Sequence, residues 1–448
     1  MEYCTSSANP SPIQPRLIIH GGAGNITRTN LSPSSYATYR AALLTVNRST
    51  IQLLHNGSTA LDAATHAVRL LEDNPLFNCG KGAVFARNGT IELEASVMVS
   101  RGKRKRGCGV MLIKHVKNPV LLAREMLIRG EEDGGGGDNG GDGDPSGGSG
   151  GAQGHCQLSG EVVEELAREW GLEIVEEEYF WTRRRWEEHR RGLKREMGLC
   201  SDEGGEQESW EQKVGGFGSV TEVDEGPGWD GHEYLPQGTV GCVALDKYGT
   251  LCVATSTGGL TNKLPGRIGD TPTLGAGFWA EEWVVEQPIL YRQPDARSPL
   301  QKMVPDALKE VLGQCLPGIV GYRGVPHHGL NQEKLSGYTT RAVAMSGTGN
   351  GDSFVRLSGV RTAAAIARFA PHRSLASAVQ QFAGVGGELQ QSAGDRWHKT
   401  GEGEGGIIGI ELLDGKGKIV FDFNCGGMFR TWVDDHGLER LMVFKEEY

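Results

Sequence analysis

Apolar residues recur at the spacing of amphipathic helices in several separate stretches of this chain. Such spacing lines one face of a helix with apolar side chains and leaves the other face polar. The stretch at 180–197 differs from the others because it is strongly charged. The segments with a helical pattern are 36–56, 59–72, 117–129, 161–170, 180–197, 357–369 and 374–384.

Two pairs of short apolar runs predict β-hairpins. Val240–Asp246 and Thr250–Ser256 form the first pair, and Lys247–Gly249 is the turn between them. Alternating helical and strand segments are compatible with an α+β fold but do not select one architecture. The second pair and its turn are Gly405–Leu413, Lys418–Asn424 and Asp414–Gly417.

Two other stretches are too poor in apolar residues to fold tightly. Residues 131–154 consist mostly of glycine, aspartate and serine, and residues 200–231 return to a glycine-rich, acidic composition. Such segments bury too little apolar surface to offset the entropy lost on ordering. We therefore expect flexible inserts at 131–154 and 200–231.

Length, charge and cysteine content limit the number of domains, the partners and the location that this chain can have. A chain of 448 residues would allow two or three domains, but with about 130 residues in inserts the remainder suits one layered domain. The net charge of −10 predicts no nucleic-acid partner. Neither a signal peptide nor a membrane-spanning run of about 18 apolar residues is found. The nine cysteines lack metal spacing and are interpreted as reduced thiols, so we expect a cytoplasmic protein.

The bond between Gly238 and Thr239 is the first candidate for chemistry. A threonine hydroxyl is a poor nucleophile at neutral pH, but a chain break before it frees an α-amine with a pKa of about 7.7–8.0, which can act as its base. Thr239 could make this break by attacking the carbonyl carbon of Gly238, because glycine tolerates strained backbone. Taken alone, the run from Gly238 to Gly241 fits a plain turn before a strand better.

A second candidate lies after the first predicted hairpin. The segment Gly266–Pro272 carries an arginine and a carboxylate on one loop. Arg267 could bind a carboxylate through two hydrogen bonds, and Asp270 could bind an ammonium group. Together they could recognise the two charged ends of an amino acid. The alternative is a surface ion pair between Arg267 and Asp270.

Three further motifs accompany Thr239. Leu17–Gly24 reads LIIHGGAG, Leu71–Phe85 reads LEDNPLFNCGKGAVF, and Ser346–Asp352 reads SGTGNGD. In their order and content these motifs resemble those of the plant-type L-asparaginase and isoaspartyl peptidase family, which are N-terminal-nucleophile hydrolases. The match extends over most of the chain.

This resemblance implies that Thr239 is the nucleophile and that the chain cleaves itself between Gly238 and Thr239. It further implies that Thr257 orients the nucleophile through a hydroxyl hydrogen bond, and that Asn78 braces it from the first fragment. Residues 1–238 would become an α subunit and residues 239–448 a β subunit of one N-terminal-nucleophile domain spanning 1–448.

The same resemblance assigns the substrate contacts. Arg267 would hold the substrate α-carboxylate, and Asp270 would hold its α-amine with help from the backbone of Gly349. Thr348 Oγ and the N–H group of Gly349 would face the developing oxyanion, where a preorganised donor is worth about 2.7–4 kcal/mol.

The family fold is a four-layer αββα sandwich with two packed sheets between helices. Catalysis would need no metal or cofactor, although backbone carbonyls between Leu71 and Lys81 would supply a structural sodium site. The resemblance also implies a small-molecule or dipeptide substrate and a homodimer of cleaved αβ units.

The chain departs from the family pattern in two respects. Glu94–Ser100 reads EASVMVS, where the family usually has DASIMDG. The loss of the aspartate-glycine turn changes the local loop, and no residue assigned to chemistry lies in it. The segments 131–232 and 281–344 are also longer than a minimal family member needs.

The expected reaction is hydrolysis of an amide on an aspartyl β-carboxyl, either of L-asparagine or of isoaspartyl peptides. These substrates differ only in the leaving group. A glycosylasparaginase and a protein-cleaving threonine aspartase are alternatives, and the latter resembles this chain at Gly277–Glu281. Both typically carry an aspartate where this chain has Gly238, which favours the asparaginase type. A silent scaffold is disfavoured because the nucleophile and the clamp are intact.

Three remaining motifs have simpler structural interpretations. Lys103–Arg106 resembles a nuclear address but is favoured as a solvated hairpin tip. His327 and His328 lack a third metal ligand at a useful spacing. Gly21–Gly24 lacks the full dinucleotide fingerprint, so close backbone packing accounts for it better than phosphate binding.

Overall fold

The computed structural model of this chain describes residues 12–101, 107–132, 152, 154–196, 238–286, 338–370 and 372–446. The chain divides into two compact units, one of residues 1–283 with 340–448 and the other of residues 284–339. Nearly all of the second unit lies outside the described residues. The fold described below is therefore that of the first unit.

The helices of the N-terminal half match the segments predicted from apolar spacing to within a few residues. Helix α1, Pro33–His55, begins after the N-cap Ser32, and helix α2, Ala60–Glu72, begins after the N-cap Thr59. Both caps accept a hydrogen bond from a backbone N–H group of the first turn. The helices that follow are α3, Pro119–Glu132, α4, Glu161–Glu169, and α5, Arg183–Glu196.

The described strands form two sheets. One sheet has the strand order β12-β11-β1-β5-β6-β2-β3-β4, and the other has the order β10-β9-β8-β7. Both predicted hairpins are confirmed as antiparallel pairs, β5 with β6 and β9 with β10. The strands are β1 Arg16–Gly24, β2 Leu93–Val99, β3 Gly107–Ile113, β4 Gln157–Ser159, β5 Val240–Leu245, β6 Leu251–Thr257, β7 Phe278–Glu286, β8 Tyr338–Gly349, β9 Gly405–Leu413, β10 Lys416–Phe423, β11 Gly427–Val433 and β12 Glu439–Met442.

The turn between β9 and β10 is tighter than the sequence predicted. Leu413 pairs with Lys416, so the connection consists of Asp414 and Gly415 alone. Their φ angles are +51° and +73°. Positive φ at both central residues is the requirement of a type I′ turn, which aspartate followed by glycine meets.

The helical prediction at 357–369 found only one of two consecutive helices. Helix α6, Gly351–Leu357, begins after the N-cap Asn350, and helix α7, Gly359–Phe369, follows it. Ser358 separates them with a φ of +46°, a left-handed conformation that ends the first helix. The prediction at 374–384 is confirmed by α8, Leu375–Ala383, and a short α9, Glu388–Gln391, follows.

Three apolar clusters hold these elements together. Cys242 and Ala244 of β5 belong to a cluster with α1, α2 and α3, whereas Val243 of the same strand packs with Phe278 and Ile410 of the other sheet. Alternate side chains of a strand point to opposite faces, so β5 is buried on both sides. A third cluster joins the second sheet to α7 and α8. The chain therefore has an α+β fold with covered sheets.

Several predicted segments fall outside the described residues. These include all of 200–231, most of 281–344, and Lys103–Arg106 with His327 and His328. Most of 131–154 also lies outside, although Glu131 and Glu132 belong to α3. No helix in the part of the chain that the structure describes is long and apolar enough to cross a membrane.

Candidate active site

The bond between Gly238 and Thr239 lies at the start of β5, inside the larger sheet. Thr239 directly precedes the first residue of β5 and is buried. The backbone of Gly238 is closely surrounded, because a Cβ there would clash with Thr348 Oγ and lie 3.0 Å from the carbonyl oxygen of Ala23. This close approach explains why a residue without a side chain precedes the candidate nucleophile.

The hydroxyl group of Thr239 has a partner that the sequence analysis did not assign. Its Oγ lies 2.7 Å from Thr271 Oγ, and Thr271 is fully buried. The carbonyl oxygen of Thr271 accepts hydrogen bonds from Ser96 Oγ at 2.7 Å and from Thr255 Oγ at 3.3 Å. Thr271 directly follows Asp270 in the predicted clamp motif, and this position was the signal available in the sequence.

Thr257 and Asn78 meet at the turn that follows β6. In the register of β5 and β6 Val240 pairs with Ser256, so the next residues along the two segments are Thr239 and Thr257. Thr257 Oγ accepts the N–H group of Gly259 at 3.0 Å, and Asn78 Nδ2 donates to the carbonyl oxygen of Gly259 at 2.8 Å. In the uncleaved chain these two side chains fix the turn next to the nucleophile, and a hydroxyl bond between Thr257 and Thr239 stays a prediction for the cleaved chain.

Thr348 and Gly349, at the end of β8, lie against the Gly238–Thr239 bond. Thr348 is fully buried, and its Oγ donates to the carbonyl oxygen of Thr239 at 2.9 Å. Gly349 has a φ of +137°, and a Cβ there would clash with the carbonyl oxygen of Glu404. The two residues predicted to face an oxyanion are thus next to the nucleophile, and glycine is required at the second.

The side chains of Arg267 and Asp270 converge on the start of α6. A Cβ added at Gly351 would lie 3.0 Å from Arg267 Nη2 and 2.5 Å from Asp270 Oδ1. The ion pair of Arg267 is with Asp352, whose Oδ1 lies 3.0 Å from Nη2. Asp352 is largely exposed, so a substrate carboxylate can compete for the guanidinium.

The carboxyl group of Asp270 is buried, and one of its two oxygens lacks a hydrogen-bond partner in the described part of the chain. Burial raises the pKa of Asp270 to about 7, while the positive charge of Arg267 acts in the opposite direction. Asp270 Oδ2 and Arg267 Nε have no hydrogen-bond partner among the described residues. Buried polar atoms are usually hydrogen-bonded, so these two suit a ligand that carries both an ammonium and a carboxylate group.

Glu94 lies behind this clamp, although the sequence analysis placed its segment away from the chemistry. The side chain is fully buried, and its Oε1 accepts the N–H group of Gly269 at 2.9 Å. Burial raises the pKa of Glu94, whereas the charges of Lys263 and Arg267 lower it. The first residue of the altered segment therefore supports the loop that carries Arg267 and Asp270.

His20 of the N-terminal motif was also missed as a residue near the nucleophile. It is fully buried, and its Nε2 lies 2.7 Å from Ser346 Oγ. Burial lowers its pKa to about 3, with the backbone of Thr239 acting weakly in the opposite direction, so the imidazole is neutral near pH 7. It thereby links β1 to β8 beside Thr239 without adding a charge.

A cavity of about 410 Å³ opens beside Gly238. Backbone of the glycine-rich turns forms one side of it, including Gly259 and Gly349. Arg185 and Glu188 of α5 form another side, and the loop His398–Gly401 forms a third. The cavity is therefore in contact with both the candidate scissile bond and the candidate oxyanion site.

The loop from Leu71 to Lys81 brings backbone carbonyl groups close together. A Cβ at Gly82 would clash with the carbonyl oxygen of Pro75 and lie 2.8 Å from that of Phe77. Carbonyl oxygens are ligands for hard cations, so this cradle offers two oxygens of the kind that the sodium ion implied by the resemblance would need.

Comparison of the sequence with known proteins points to the same family as the motifs. The sequence profile of a family described as asparaginase matches residues 13–133 and 151–285. An isoaspartyl peptidase of Escherichia coli is 30% identical over 416 residues, which is 93% of this chain and 92% of that protein. A plant-type L-asparaginase of Pyrococcus furiosus is 35% identical over 267 residues, covering 59% of this chain and 70% of its own length.

An animal protein gives the same result. An isoaspartyl peptidase/L-asparaginase of Bos taurus is 32% identical over 270 residues, which is 60% of this chain and 68% of that protein. The profile match and the nearly full-length match to the bacterial protein agree with the four sequence motifs. The chain therefore belongs to the family of plant-type L-asparaginases and isoaspartyl peptidases.

Proposed function

We propose that this protein is a threonine amidohydrolase that cleaves itself and then hydrolyses L-asparagine, β-aspartyl peptides or both to aspartate. One observation carries this proposal. The Oγ atom of Thr239 lies 2.7 Å from Thr271 Oγ, and Thr271 is the immediate neighbour of the buried Asp270. The nucleophile is thereby hydrogen-bonded to the residue next to the carboxylate that would bind the substrate ammonium group.

Self-cleavage requires only groups that surround the intact bond. Thr239 Oγ attacks the carbonyl carbon of Gly238, the C–N bond breaks, and the nitrogen of Thr239 takes up the hydroxyl proton. Water then hydrolyses the resulting ester, which leaves a carboxylate on Gly238 and a free α-amine on Thr239. Thr348 Oγ, which in the intact chain donates to the carbonyl oxygen of Thr239, lies beside Gly238 and would exchange that bond for one to the oxygen that becomes negative.

The freed amine then acts as the base for turnover. It takes the proton of Thr239 Oγ, which attacks the β-amide carbonyl of the substrate, and the proton passes to the leaving nitrogen. Thr348 Oγ and the N–H group of Gly349 stabilise the oxyanion. Water, activated by the same amine, hydrolyses the acyl-enzyme and releases aspartate. In the cleaved enzyme we assign the orientation of Thr239 to Thr257, with Asn78 holding the adjacent turn.

Arg267 and Asp270 bind the aspartyl part that all these substrates share. The guanidinium group would exchange its exposed partner Asp352 for the substrate α-carboxylate, which it can bind through two parallel hydrogen bonds. The substrate ammonium group would complete the unpartnered Oδ2 of Asp270 and stabilise its charged form. The spacing of the two groups then selects a free α-amino acid.

The same proposal includes the architecture and the remaining partners. The three apolar clusters support a four-layer αββα sandwich. One packs helices against the larger sheet, the second packs the two sheets against each other, and the third packs helices against the smaller sheet. The carbonyl cradle of Pro75 and Phe77 would hold a structural sodium ion with no part in the chemistry. We further propose a homodimer of cleaved αβ units. The described cysteines are free thiols, which supports the proposed cytoplasmic location. The net charge of −10 supports the proposal that the protein has no nucleic-acid partner, and we propose no membrane partner.

The test is to follow the purified protein by intact mass and substrate hydrolysis. The chain should convert into fragments 1–238 and 239–448 without added protease, and the second fragment should begin with Thr239. Thr239→Ala should remain intact and inactive. Cleaved protein should release ammonia from L-asparagine or leucine from β-aspartyl-leucine. A different new N-terminus would contradict the nucleophile, and correct cleavage without either hydrolysis would contradict the substrate class.

A further inference from the structure

We infer that Lys263 is a positioning residue, whose buried ammonium group balances the charge of Glu94 beneath the clamp loop, residues 266–270. By doing so it keeps Arg267 available for the α-carboxylate of the substrate. The inference rests on the proposed function and adds to it a residue that does not contact the substrate. The hydrogen bonds and charges on the buried side of the clamp loop lead to this assignment.

Two carboxylates from one segment hold the clamp loop from its buried side. Glu92 directly precedes β2, and Glu94 is the second residue of that strand. Glu92 Oε2 accepts the N–H group of Gly266 at 2.9 Å. Glu94 Oε1 accepts the N–H group of Gly269 at the same distance, so Arg267 lies between two anchored glycines. Both carboxylates are buried, and their charges therefore require compensation within the protein.

Lys263 places a buried cation next to this pair. It is 5% exposed, and its Nζ donates to the carbonyl oxygen of Glu92 at 2.8 Å. Burial lowers the pKa of Lys263, whereas the charges of Glu94 and Glu92 raise it. Burial raises the pKa of Glu94, and the charge of Lys263 is the first among the effects that lower it. The charged forms of Lys263 and Glu94 therefore stabilise each other in a buried site that disfavours each of them alone.

Glu94 depends on this charge more than Glu92 does. Glu92 has a second cation at its outer side, because Lys114 Nζ lies 4.0 Å from Glu92 Oε1. Glu94 Oε2, in contrast, has no hydrogen-bond partner among the described residues. Loss of the Lys263 charge would leave Arg267 as the next cation that acts on Glu94.

Arg267 is close enough to Glu94 to take over this role. A Cβ added at Gly269 would lie 2.7 Å from Arg267 Nη1 and 3.1 Å from Glu94 Oε2, so both groups approach the same backbone. Opposite charges attract strongly where water is excluded. Without Lys263, Glu94 would draw the guanidinium group of Arg267 inward, and the substrate α-carboxylate would have to break that pair. With Lys263 in place, the guanidinium group stays available for substrate.

The test is a double-mutant cycle of Lys263→Met and Glu94→Gln on fully cleaved enzyme. Methionine occupies a similar space without a charge. Lys263→Met should raise KM for L-asparagine about tenfold and leave kcat within about threefold of normal, because it weakens binding of the ground state and the transition state alike. KM for β-aspartyl-leucine should rise by the same factor, since both substrates present the same aspartyl part to Arg267.

The double variant separates a balance of charge from a structural role of Lys263. With Glu94→Gln added, KM should return to about threefold of normal, the value expected of Glu94→Gln alone, because glutamine keeps the bond to Gly269 and has no charge to draw Arg267 away. A structural role predicts no rescue, since glutamine at this position does not replace the hydrogen bond from Lys263 to Glu92. Lys114→Met, which removes an exposed lysine charge near Glu92, is the matched control and should leave KM within about twofold in either background.

The outcomes distinguish this inference from the proposed function. An unchanged KM for Lys263→Met, or effects of the two substitutions that simply multiply, would overturn the role of Lys263 and leave the amidohydrolase proposal intact. If Lys263→Met does not mature, the double variant should again yield fragments 1–238 and 239–448, and its failure to do so would also overturn the inference. If cleaved wild type hydrolyses neither substrate, the proposed function fails and the role of Lys263 falls with it.

Discussion

The hydroxyl oxygens of Thr239 and Thr271 lie 2.7 Å apart, and Thr271 is fully buried. In the uncleaved chain Thr271 is thus the hydrogen-bond partner of the candidate nucleophile, whereas Thr257 Oγ is engaged with the N–H group of Gly259. We therefore expect Thr271 to orient the hydroxyl group of Thr239 during self-cleavage and Thr257 to orient it during substrate turnover.

Thr271→Val should slow self-cleavage by about tenfold or more. Valine keeps the shape of threonine but removes the hydroxyl group, so Thr239 Oγ would lose the bond that orients it, worth about 1 kcal/mol or more when buried. The measurement is the rate at which fragments 1–238 and 239–448 appear by mass spectrometry. Thr271→Ser, which keeps the hydroxyl, should cleave at nearly the normal rate. Normal cleavage of the valine variant would show that Thr271 has no orienting role.

Arg267→Lys should raise KM for L-asparagine by about tenfold or more. Lysine retains the charge but cannot make the two parallel hydrogen bonds of a guanidinium group with a carboxylate. Steady-state kinetics on cleaved enzyme measure the effect. Arg368→Lys is the control, because Arg368 pairs with Glu281 outside the site and should leave KM unchanged. An unchanged KM for Arg267→Lys would remove Arg267 from the clamp.

Glu94→Ala should raise KM more than it lowers kcat, because Glu94 supports the clamp loop and does not touch the nucleophile. Its Oε1 accepts the N–H group of Gly269, between Arg267 and Asp270, at 2.9 Å. Glu94→Gln keeps an oxygen at this position and should restore KM to within about threefold of normal. Steady-state kinetics on both cleaved variants measure kcat and KM. Equal KM values for the alanine and glutamine variants would contradict a positioning role.

The pH dependence of stability should reveal the buried carboxyl group of Asp270. In uncleaved Thr239→Ala protein the pKa of Asp270 lies at about 7 instead of 3.8. Between these values the folded protein keeps a proton that the unfolded chain has released. The free energy of unfolding therefore falls as pH rises through this window.

Asp270→Asn in the same Thr239→Ala background should remove this fall. The difference in unfolding free energy between the two proteins should increase by at least about 1.4 kcal/mol from pH 4 to pH 7, which corresponds to one pKa unit. Urea unfolding at each pH measures it. His20 and the other titrating groups occur in both proteins, so their contributions cancel to first order. A difference that does not vary with pH would show that Asp270 titrates normally.

The sequence by itself determined the helices, strands and candidate motifs that depend on neighbouring residues. The helical spacing of apolar residues predicted α1 to α5. Short apolar runs predicted the hairpins of β5 with β6 and of β9 with β10. Local composition also identified Gly238 with Thr239, and Arg267 with Asp270. These features could be predicted because periodicity, capping and short motifs are properties of contiguous residues. The family resemblance then followed from the order of the motifs.

Only the tertiary structure decided which distant side chains meet around the site. Glu94 reaches Gly269 from β2, His20 reaches Ser346 across two sheets, and Thr271 rather than Thr257 bonds to the hydroxyl of Thr239. The cavity likewise joins α5 to a loop more than 200 residues later in the chain. Residues so far apart leave no periodic signal, because their contacts depend on how the sheets and helices pack. The pattern along the chain therefore pointed to the candidate reacting groups, and the packing selected the side chains that contact them.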